Sequence, residues 1–259
     1  VQTCALPIWI QAALPTINYL LGKGASVILS SHLGRPKERK PEFSLKPVAV
    51  RLAELLGRPV TMAPDCVGEE VEALAKAMKP GDVMLLENVR FQPGETKNDP
   101  ELSKKMAALA DVYVSDSFGS VHRAHCSTEG VAQILKPAVC GYLIAKELKY
   151  LDGALSNPQR PLLAILGGAK VGSKIAVITS LMKQVDALVI GGGMAYTFLK
   201  VQGYEIGTSL LDEESIDVAK QILEQAKTSG VKFLLPIDCV VADKFDPQAN
   251  TQVVDATAI

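Results

Sequence analysis

The sequence predicts an α/β fold with two parallel-sheet domains joined by a linker helix. Strand-like apolar runs alternate with helical patterns in both halves of the chain, which is typical of parallel sheets covered by helices. A longer helical pattern over residues 141–155 ends at Asn157-Pro158 and separates the two series. The second series stops after a short strand with no further helix. We therefore expect two Rossmann-like domains, of which the second is incomplete.

The elements of the first half are predicted from apolar periodicity and from glycine and proline breaks. Ser44 and Asp65 stand where helix N-caps are expected. Residues 1–9 fit neither a helix nor a strand pattern, and we expect the chain to be an internal fragment of a longer protein. The predicted helices cover residues 10–21, 44–56, 67–78, 100–110 and 127–135, and the predicted strands lie at 26–30, 60–63, within 82–90, and at 112–115.

The second half repeats the alternation. Five consecutive apolar residues at 162–166 are typical of a strand buried on both faces of a sheet. Further strands are predicted at 187–190 and 232–235. Helices are predicted at 174–183, from the glycines at 191–193 through Lys200, and at 213–229. We place the domains at residues 1–140 and 158–259, with the interdomain helix at 141–157.

Composition and charge exclude several classes of protein. The 259 residues are 48% hydrophobic, which supports a sizeable core, and the net charge is −1. A charge so close to zero gives no general attraction to nucleic acid or to an acidic membrane surface. The five cysteines are scattered and odd in number, which favours reduced thiols in the cytoplasm over a disulfide framework or a zinc site. No apolar run is long enough to span a bilayer.

The segment 162–174 predicts a phosphate site. Gly167 and Gly168 follow a strand and precede a helix, so free main-chain N–H groups and the helix dipole point at the turn. Lys170 and Lys174 add positive charge. The spacing nearly matches a P-loop, but Ser173 and Lys174 invert its final pair, so a Walker-type site is rejected. The alternative is an ordinary turn with two surface lysines.

Three loops of the first half carry basic side chains, and each follows a strand. In parallel sheets, ligands bind at the carboxyl ends of the strands, so these loops are expected to form a pocket for a small polyanion. The alternative is that these basic side chains are only solvated cations at the surface. We interpret the charged residues 37–40 in that way. The candidate residues are His32 and Arg35 in the first loop, Arg90 in the second, and His122, Arg123 and His125 in the third.

A second glycine turn, residues 191–193, also follows a strand. It would approach a flat base or a phosphate, or else serve only tight packing between strand and helix. One half would then bind a small anion and the other a nucleotide-like phosphate. Phosphoryl transfer requires this division, together with cations around the transferred group and a cleft that closes to exclude water.

The ordered motifs of the chain resemble the phosphoglycerate kinase family, in its bacterial type. The resemblance covers the chain from about Ile10 to its end. The matching motifs are Leu14-Pro-Thr-Ile17, Ser31-His-Leu-Gly-Arg-Pro-Lys37, Leu86-Glu-Asn-Val-Arg-Phe91, Asp116-Ser-Phe-Gly119, His122-Arg-Ala-His125, Gly167-Gly-Ala-Lys-Val171, Gly191-Gly-Gly-Met-Ala195 and Ala242-Asp-Lys-Phe245.

The resemblance implies transfer of the acyl phosphate of 1,3-bisphosphoglycerate to ADP with Mg²⁺, giving 3-phosphoglycerate and ATP, by a cytoplasmic monomer. It implies catalytic roles for Lys170 and Lys174. Substrate binding is implied for His32, Leu33, Gly34, Arg35, Arg90, His122, Arg123 and His125. Nucleotide binding is implied for Gly167, Gly168, Ala169, Lys170, Lys174, Gly191, Gly192 and Gly193.

The sequence also departs from the family pattern. Trp9 stands where the family has a catalytic Arg, and the amino-terminal substrate residues and the carboxy-terminal Gly-Gly-Gly-Asp turn are absent. No metal ligand is expected within this chain. We therefore expect the chain as given to be inactive, and the alternative function is a non-catalytic phosphoglycerate-binding fragment or pseudoenzyme. An NAD-dependent dehydrogenase is rejected, because no G-x-G-x-x-G turn followed by an acidic residue is present.

Overall fold

A computed structural model describes the backbone of residues 2–259 and the side chains of residues 10–259. The chain forms two compact units, the first running through Asp152 and the second covering Gly153–Ile259. The strands within three of the sheets are parallel, and helices lie between them in sequence, which confirms the predicted α/β class. No helix in the described part of the chain is both long and apolar enough to cross a bilayer.

The first unit contains a three-stranded parallel sheet with β3 in the centre. Residues 83–89 are all buried, and β3 is flanked by strands on both edges and contributes to three hydrophobic clusters. Its elements are α1 (Gln2–Gly22), β1 (Val27–Leu29), α2 (Lys46–Leu56), β2 (Thr61–Met62), α3 (Glu69–Ala77), β3 (Val83–Leu85) and α4 (Pro100–Ala107).

The remainder of this unit adds a second parallel pair of strands. β4 (Tyr113–Ser115) pairs with β5 (Ala138–Cys140), a strand that the sequence did not predict. Between them lie a short helix, α5 (Phe118–Val121), a π-helical turn (Cys126–Gly130) and α6 (Val131–Ile134). The predicted helix over residues 127–135 is therefore wrong in detail, since its first half is a π turn.

Helix α7 (Tyr142–Ser156) crosses the boundary between the two units. Its first turn is held by Asp116, whose Oδ1 accepts hydrogen bonds from the N–H groups of Leu143 and Ile144 at 2.9 and 3.1 Å. The Thr16 hydroxyl donates to the other carboxylate oxygen at 2.6 Å and accepts from the Tyr142 N–H at 2.9 Å. The amino terminus of this helix is thus capped by side chains from two distant segments.

The second unit contains a three-stranded parallel sheet in the order β6-β7-β8 and an antiparallel hairpin of β9 and β10. Its hydrophobic core packs α8, α9 and α10 against the sheet. The elements are β6 (Leu163–Gly167), α8 (Ile175–Leu181), β7 (Ala187–Gly191), α9 (Met194–Val201), α10 (Ile216–Ser229), β8 (Lys232–Leu234), β9 (Asp238–Ala242) and β10 (Thr251–Asp255).

The prediction that residues 162–166 are buried on both faces is wrong. Leu162, Ala164 and Leu166 pack on the hydrophobic core, whereas Leu163 is 50% exposed and Ile165 is 71% exposed. β6 is the edge strand of its sheet, and within the described residues helices cover only one face of it. An all-apolar strand therefore has one buried and one exposed face here.

Two further predictions of the helix boundaries need correction. Residues 2–9 belong to α1, although their sequence gave no helix signal. Asp65 does not cap α3, which begins at Glu69 after Gly68 adopts a φ of 116°. Instead Asp65 accepts hydrogen bonds from the side chains of Arg39 and Gln92.

Candidate functional site

The first basic loop, residues 31–37, follows β1 and depends on Gly34. This glycine has a φ of +65°, and a Cβ atom at this position would lie 2.7 Å from the Phe43 ring. Only glycine fits both the backbone conformation and the space. Gly34 therefore fixes the loop by its conformation, and Leu33 packs its side chain on a hydrophobic cluster. His32, Arg35 and Lys37 are the exposed basic residues of the loop.

Two buried polar side chains hold the second loop: Asn88 ties it to the first loop, and Glu87 ties it to the start of α2. Asn88 is fully buried, and its Nδ2 donates to the carbonyl oxygens of Leu33 and Phe43, both at 2.9 Å. Its Oδ1 accepts from the Arg90 N–H at 3.0 Å. Glu87 accepts from the Leu45 N–H at 2.8 Å and from the Ser44 hydroxyl at 2.7 Å.

These two residues support the site without belonging to the predicted list of ligand-binding residues. Both lie in the motif Leu86-Glu-Asn-Val-Arg-Phe91, directly after the buried strand β3. A carboxylate and an amide within such an apolar run must have buried partners, because an unpaired polar group costs free energy. That signal is readable in the sequence, although the partners are not.

Arg90, in the second loop, is the most enclosed arginine of the cluster. Its Nε is buried, and no partner for it exists among the described side chains and backbone. Burial is the main cause that lowers its pKa, and the neighbouring charges of Arg123 and Arg35 lower it further, whereas Glu95 opposes them. A buried guanidinium N–H with no acceptor is a group that an anionic ligand would satisfy.

The third loop presents His122, Arg123 and His125. The Arg123 Nε donates to the Nε2 of His122 at 3.3 Å. Thr128 folds the loop on itself, since its hydroxyl donates to the Arg123 carbonyl at 2.7 Å and accepts from the His125 N–H at 3.2 Å. The π-helical turn begins at the next residue, so the histidine sits where regular helix geometry is interrupted.

The structure brings the three loops together. Desolvation lowers the pKa of His32, and the charges of Arg90, Arg123 and His125, from the other two loops, lower it further. Like charges affect each other in this way only at short range. The first unit therefore brings basic side chains from the three loops close together.

Two charged residues after Arg35 have different surroundings. Arg39 has a structural role, because it pairs with Asp65 and lies 5.2 Å from the centre of the Phe91 ring. Lys37, by contrast, lines a cavity of about 250 Å³ together with Arg35 and Arg90. Lys37 therefore lies beside the basic cluster, although the sequence interpretation treated it as a solvated cation.

In the second unit the two glycine turns lie against each other. Gly167 pairs with Gly191 across β6 and β7, and the Met194 N–H donates to the Gly168 carbonyl at 2.7 Å. Gly192 has a φ of +66°, and a Cβ there would stand 3.0 Å from the Gly168 nitrogen. The glycines therefore permit close approach of two main chains. This close approach fits the packing alternative given above for residues 191–193.

One main-chain donor near the first glycine turn, the N–H of Gly172, is already used within the protein. It donates to the Asp212 carboxylate at 2.9 Å. The Gly172 N–H is the first cause of the lowered pKa of Asp212, with smaller contributions from the Ser215 hydroxyl and from Lys170. The helix starts at Ile175, within one residue of its predicted start, after a 3-10 turn (Gly172–Lys174), and has seven residues.

The remaining anion-binding groups of this turn are exposed. Gly167, Gly168, Ala169 and Lys170 are all accessible to solvent. The Lys174 ammonium group makes no hydrogen bond or ion pair within the described part of the chain. Two lysines beside an exposed glycine turn leave positive charge available for a phosphate.

Trp9 lies in α1, but its side chain is outside the described residues. In the described portion of the chain, no group of three or more His, Cys, Asp or Glu side chains is arranged to hold a metal ion.

A sequence model of phosphoglycerate kinase matches residues 8–259. The chain belongs to the phosphoglycerate kinase family. This finding confirms the resemblance inferred from the ordered motifs.

Relatives from plants and bacteria share more than half of the aligned residues. The cytosolic phosphoglycerate kinase of Triticum aestivum is 59% identical over 250 residues, and phosphoglycerate kinase 1, chloroplastic, of Arabidopsis thaliana is 58% identical over the same length. Each alignment covers 96% of this chain, but 62% and 52% of the respective relative. The chain thus spans little more than half the length of the relatives it matches.

Solved structures agree with the sequence relatives. The phosphoglycerate kinase of Coxiella burnetii superposes with a TM-score of 0.79 at 44% identity, and covers 96% of this chain. The phosphoglycerate kinase of Pyrococcus horikoshii OT3 superposes with a TM-score of 0.82 at 29% identity, and covers 95%. This chain accounts for 63% and 62% of those two chains.

Proposed function

We propose that this chain carries the two ligand sites of a phosphoglycerate kinase, which transfers the acyl phosphate of 1,3-bisphosphoglycerate to ADP and releases 3-phosphoglycerate and ATP. Family membership supports the reaction. The observation that carries the proposal is the convergence of three basic loops in the first unit around Arg90, whose buried Nε lacks an acceptor in the described residues.

The first site would bind the phosphoglycerate. Its carboxylate and phosphate are both anionic, and arginine forks bind such groups through paired hydrogen bonds. We assign this role to His32, Arg35, Arg90, His122, Arg123 and His125, with Leu33 and Gly34 shaping the loop. The substrate domain is proposed as residues 1–140.

The second site would bind the nucleotide phosphates at the two glycine turns of residues 158–259, beyond the proposed interdomain helix of residues 141–157. The exposed turn lets a phosphate approach the main chain, and Lys170 and Lys174 offset its charge. Phosphoryl transfer depends more on positioning and on such cations than on a covalent catalyst. Mg²⁺ would enter bound to the nucleotide, since this ion commonly binds through substrate phosphates.

The subcellular site and assembly are proposed as cytoplasmic and monomeric. Related proteins carry both cytosolic and chloroplastic names. Reduced cysteines favour the cytoplasm: four cysteines are free in the described residues, two of them buried.

Calorimetric titration with 3-phosphoglycerate tests the first site. We expect Arg35→Ala and Arg90→Ala each to weaken binding by roughly tenfold or more, because each removes a charged hydrogen-bond donor. Arg51→Ala is the control, since Arg51 is exposed and pairs only with Glu54 in α2. Unchanged affinity in both site variants would refute the anion pocket.

A coupled assay of ATP formation tests the activity of the chain as given. We propose that it is inactive, because Trp9 cannot supply the charged fork that the family resemblance places there. The alternative is a non-catalytic fragment that binds phosphoglycerate. Turnover at the level of an ordinary kinase would contradict this. Restoring Arg at position 9 by Trp9→Arg shows whether that residue alone limits the rate.

A further inference from the structure

Glu95 is a buried carboxylate beside the basic cluster that the proposed reaction does not use. It is 1% exposed and begins a 3-10 turn (Glu95–Lys97). Its Oε2 accepts from the Ser127 N–H at 3.1 Å, and its Oε1 accepts from the Ser127 hydroxyl at 2.5 Å. A charge so deeply buried is costly unless it is paired, so its position requires an explanation.

The partner that explains it is His125. The His125 Nδ1 lies 3.8 Å from Glu95 Oε1, and the imidazole is only 12% exposed. The backbone of His125 is also fixed, because its carbonyl accepts from the N–H groups of Thr128, Glu129 and Gly130 at 2.8–3.3 Å. The ring therefore has one nitrogen against the carboxylate, and its Nε2 is left as the nitrogen for another group.

We propose that Glu95 is a positioning residue of the anion site: by facing Nδ1 and by anchoring Ser127, it orients the His125 ring so that Nε2 serves the anionic ligand. This inference rests on the proposed phosphoglycerate site. It adds to that site a residue that makes no contact with the ligand and acts through His125.

The charges around His125 affect the protonation of its ring. Burial lowers the pKa of His125, Glu95 acts in the opposite direction, and Arg90, Arg123 and His122 lower the pKa further. His32 also interacts with this ring. When the ring is neutral, its proton lies on Nδ1, because that nitrogen faces the Glu95 carboxylate. An arriving anion favours the charged ring, which takes a second proton on Nε2 from the solvent and donates it to the ligand.

The first test needs only the unaltered chain. Nitrogen-15 NMR of the imidazole groups reports which ring nitrogen carries the proton, and the chain has only three histidines to assign. We expect neutral His125 to be protonated on Nδ1. Protonation on Nε2 alone would overturn the proposal, whether or not any variant folds.

The second test compares variants in the same chain. Glu95→Gln keeps the shape but removes the charge, and we expect neutral His125 to shift towards the Nε2 proton and the affinity for 3-phosphoglycerate to fall by roughly fivefold. Glu101→Gln is the control, because Glu101 is exposed and pairs with Lys104. An unchanged His125 tautomer in Glu95→Gln would contradict the proposal.

Proton uptake separates a positioning role from a purely structural one. Calorimetry in buffers of different ionisation enthalpy counts the protons bound with 3-phosphoglycerate. We expect uptake of up to one proton per ligand in the unaltered chain and less in Glu95→Gln, while Ser127→Ala, which keeps the charge, retains most of it. Equal uptake in Glu95→Gln and the unaltered chain would overturn the proposal. If the unaltered chain does not bind 3-phosphoglycerate, the proposed function fails, and the tautomer still decides the role of Glu95.

Discussion

The two candidate sites are built in different ways. In the first unit, cationic side chains from three loops are held by buried polar groups, chiefly Asn88, Glu87 and Glu95. In the second unit, the site is an exposed main-chain turn, and its two lysines project into solvent. The first site is therefore pre-organised by side-chain hydrogen bonds. The second depends on glycines, because only residues without a Cβ atom allow its main-chain conformation and close approach.

The difference teaches where each site is vulnerable. A side-chain site fails when a buried partner is removed, because several donors and acceptors are left unpaired together. A main-chain site fails when a Cβ atom is added where two backbones meet. The following substitutions separate these two kinds of dependence.

The largest effect is expected from Asn88→Ala in the first unit. The change leaves the carbonyl oxygens of Leu33 and Phe43 and the Arg90 N–H without their partner. We expect a loss of about 3 kcal/mol in the free energy of unfolding, measured by urea denaturation, together with weaker 3-phosphoglycerate binding. Asn250→Ala, at an exposed asparagine, is the control and should cost less than about 1 kcal/mol. Equal costs would mean that the buried network does not organise the loops.

A smaller effect is expected from Gly192→Ala in the second unit. The new Cβ would meet the Gly168 nitrogen at 3.0 Å, and the residue would keep a φ of +66°. We expect a loss of about 2 kcal/mol in the free energy of unfolding and weaker ADP binding. Gly203→Ala is the matched control, because Gly203 also has a positive φ but has no atom within 4 Å of the added Cβ. If both variants lose the same stability, the close approach of the two turns has no energetic weight.

The smallest effect is expected from Asp212→Asn, and it depends on pH. The pKa of Asp212 is lowered in the folded chain, first by the Gly172 N–H. Its contribution to stability is therefore present above its unfolded pKa of about 4 and is lost as the pH falls through the folded pKa. The unfolding midpoint of the unaltered chain should fall more steeply below about pH 4 than that of the variant. Parallel pH profiles would show that this carboxylate does not hold the turn.

Much of the fold and part of the site followed from the sequence, for identifiable reasons. Apolar runs bounded by glycine and proline predicted the strands of both parallel sheets, since burial in a sheet imposes that pattern. β5 was missed because it has only three residues. β9 was missed although it has five residues, because only three residues separate it from the end of β8. The double burial of residues 162–166 was wrong, because an apolar run does not state which face a helix covers.

The residues that position the site could not be predicted from local sequence patterns. Glu87 bonds a residue 42 positions away, and Glu95 bonds one 32 positions away. Such partners are chosen by the tertiary fold, so spacing in the sequence cannot reveal them. The basic residues were predictable, because each of their loops comes after a strand and ligands of parallel sheets bind at the carboxyl ends of strands. The third loop comes after β4, which the structure places in a separate sheet from β1 and β3.

The central claim is that the three basic loops of the first unit form one anion site. The three histidines of the chain lie in two of these loops, so their NMR signals report on the site directly. Titration with 3-phosphoglycerate should shift the signals of His32, His122 and His125 along curves that give one common dissociation constant. Shifts at His32 alone, or different constants for the two loops, would contradict a single site.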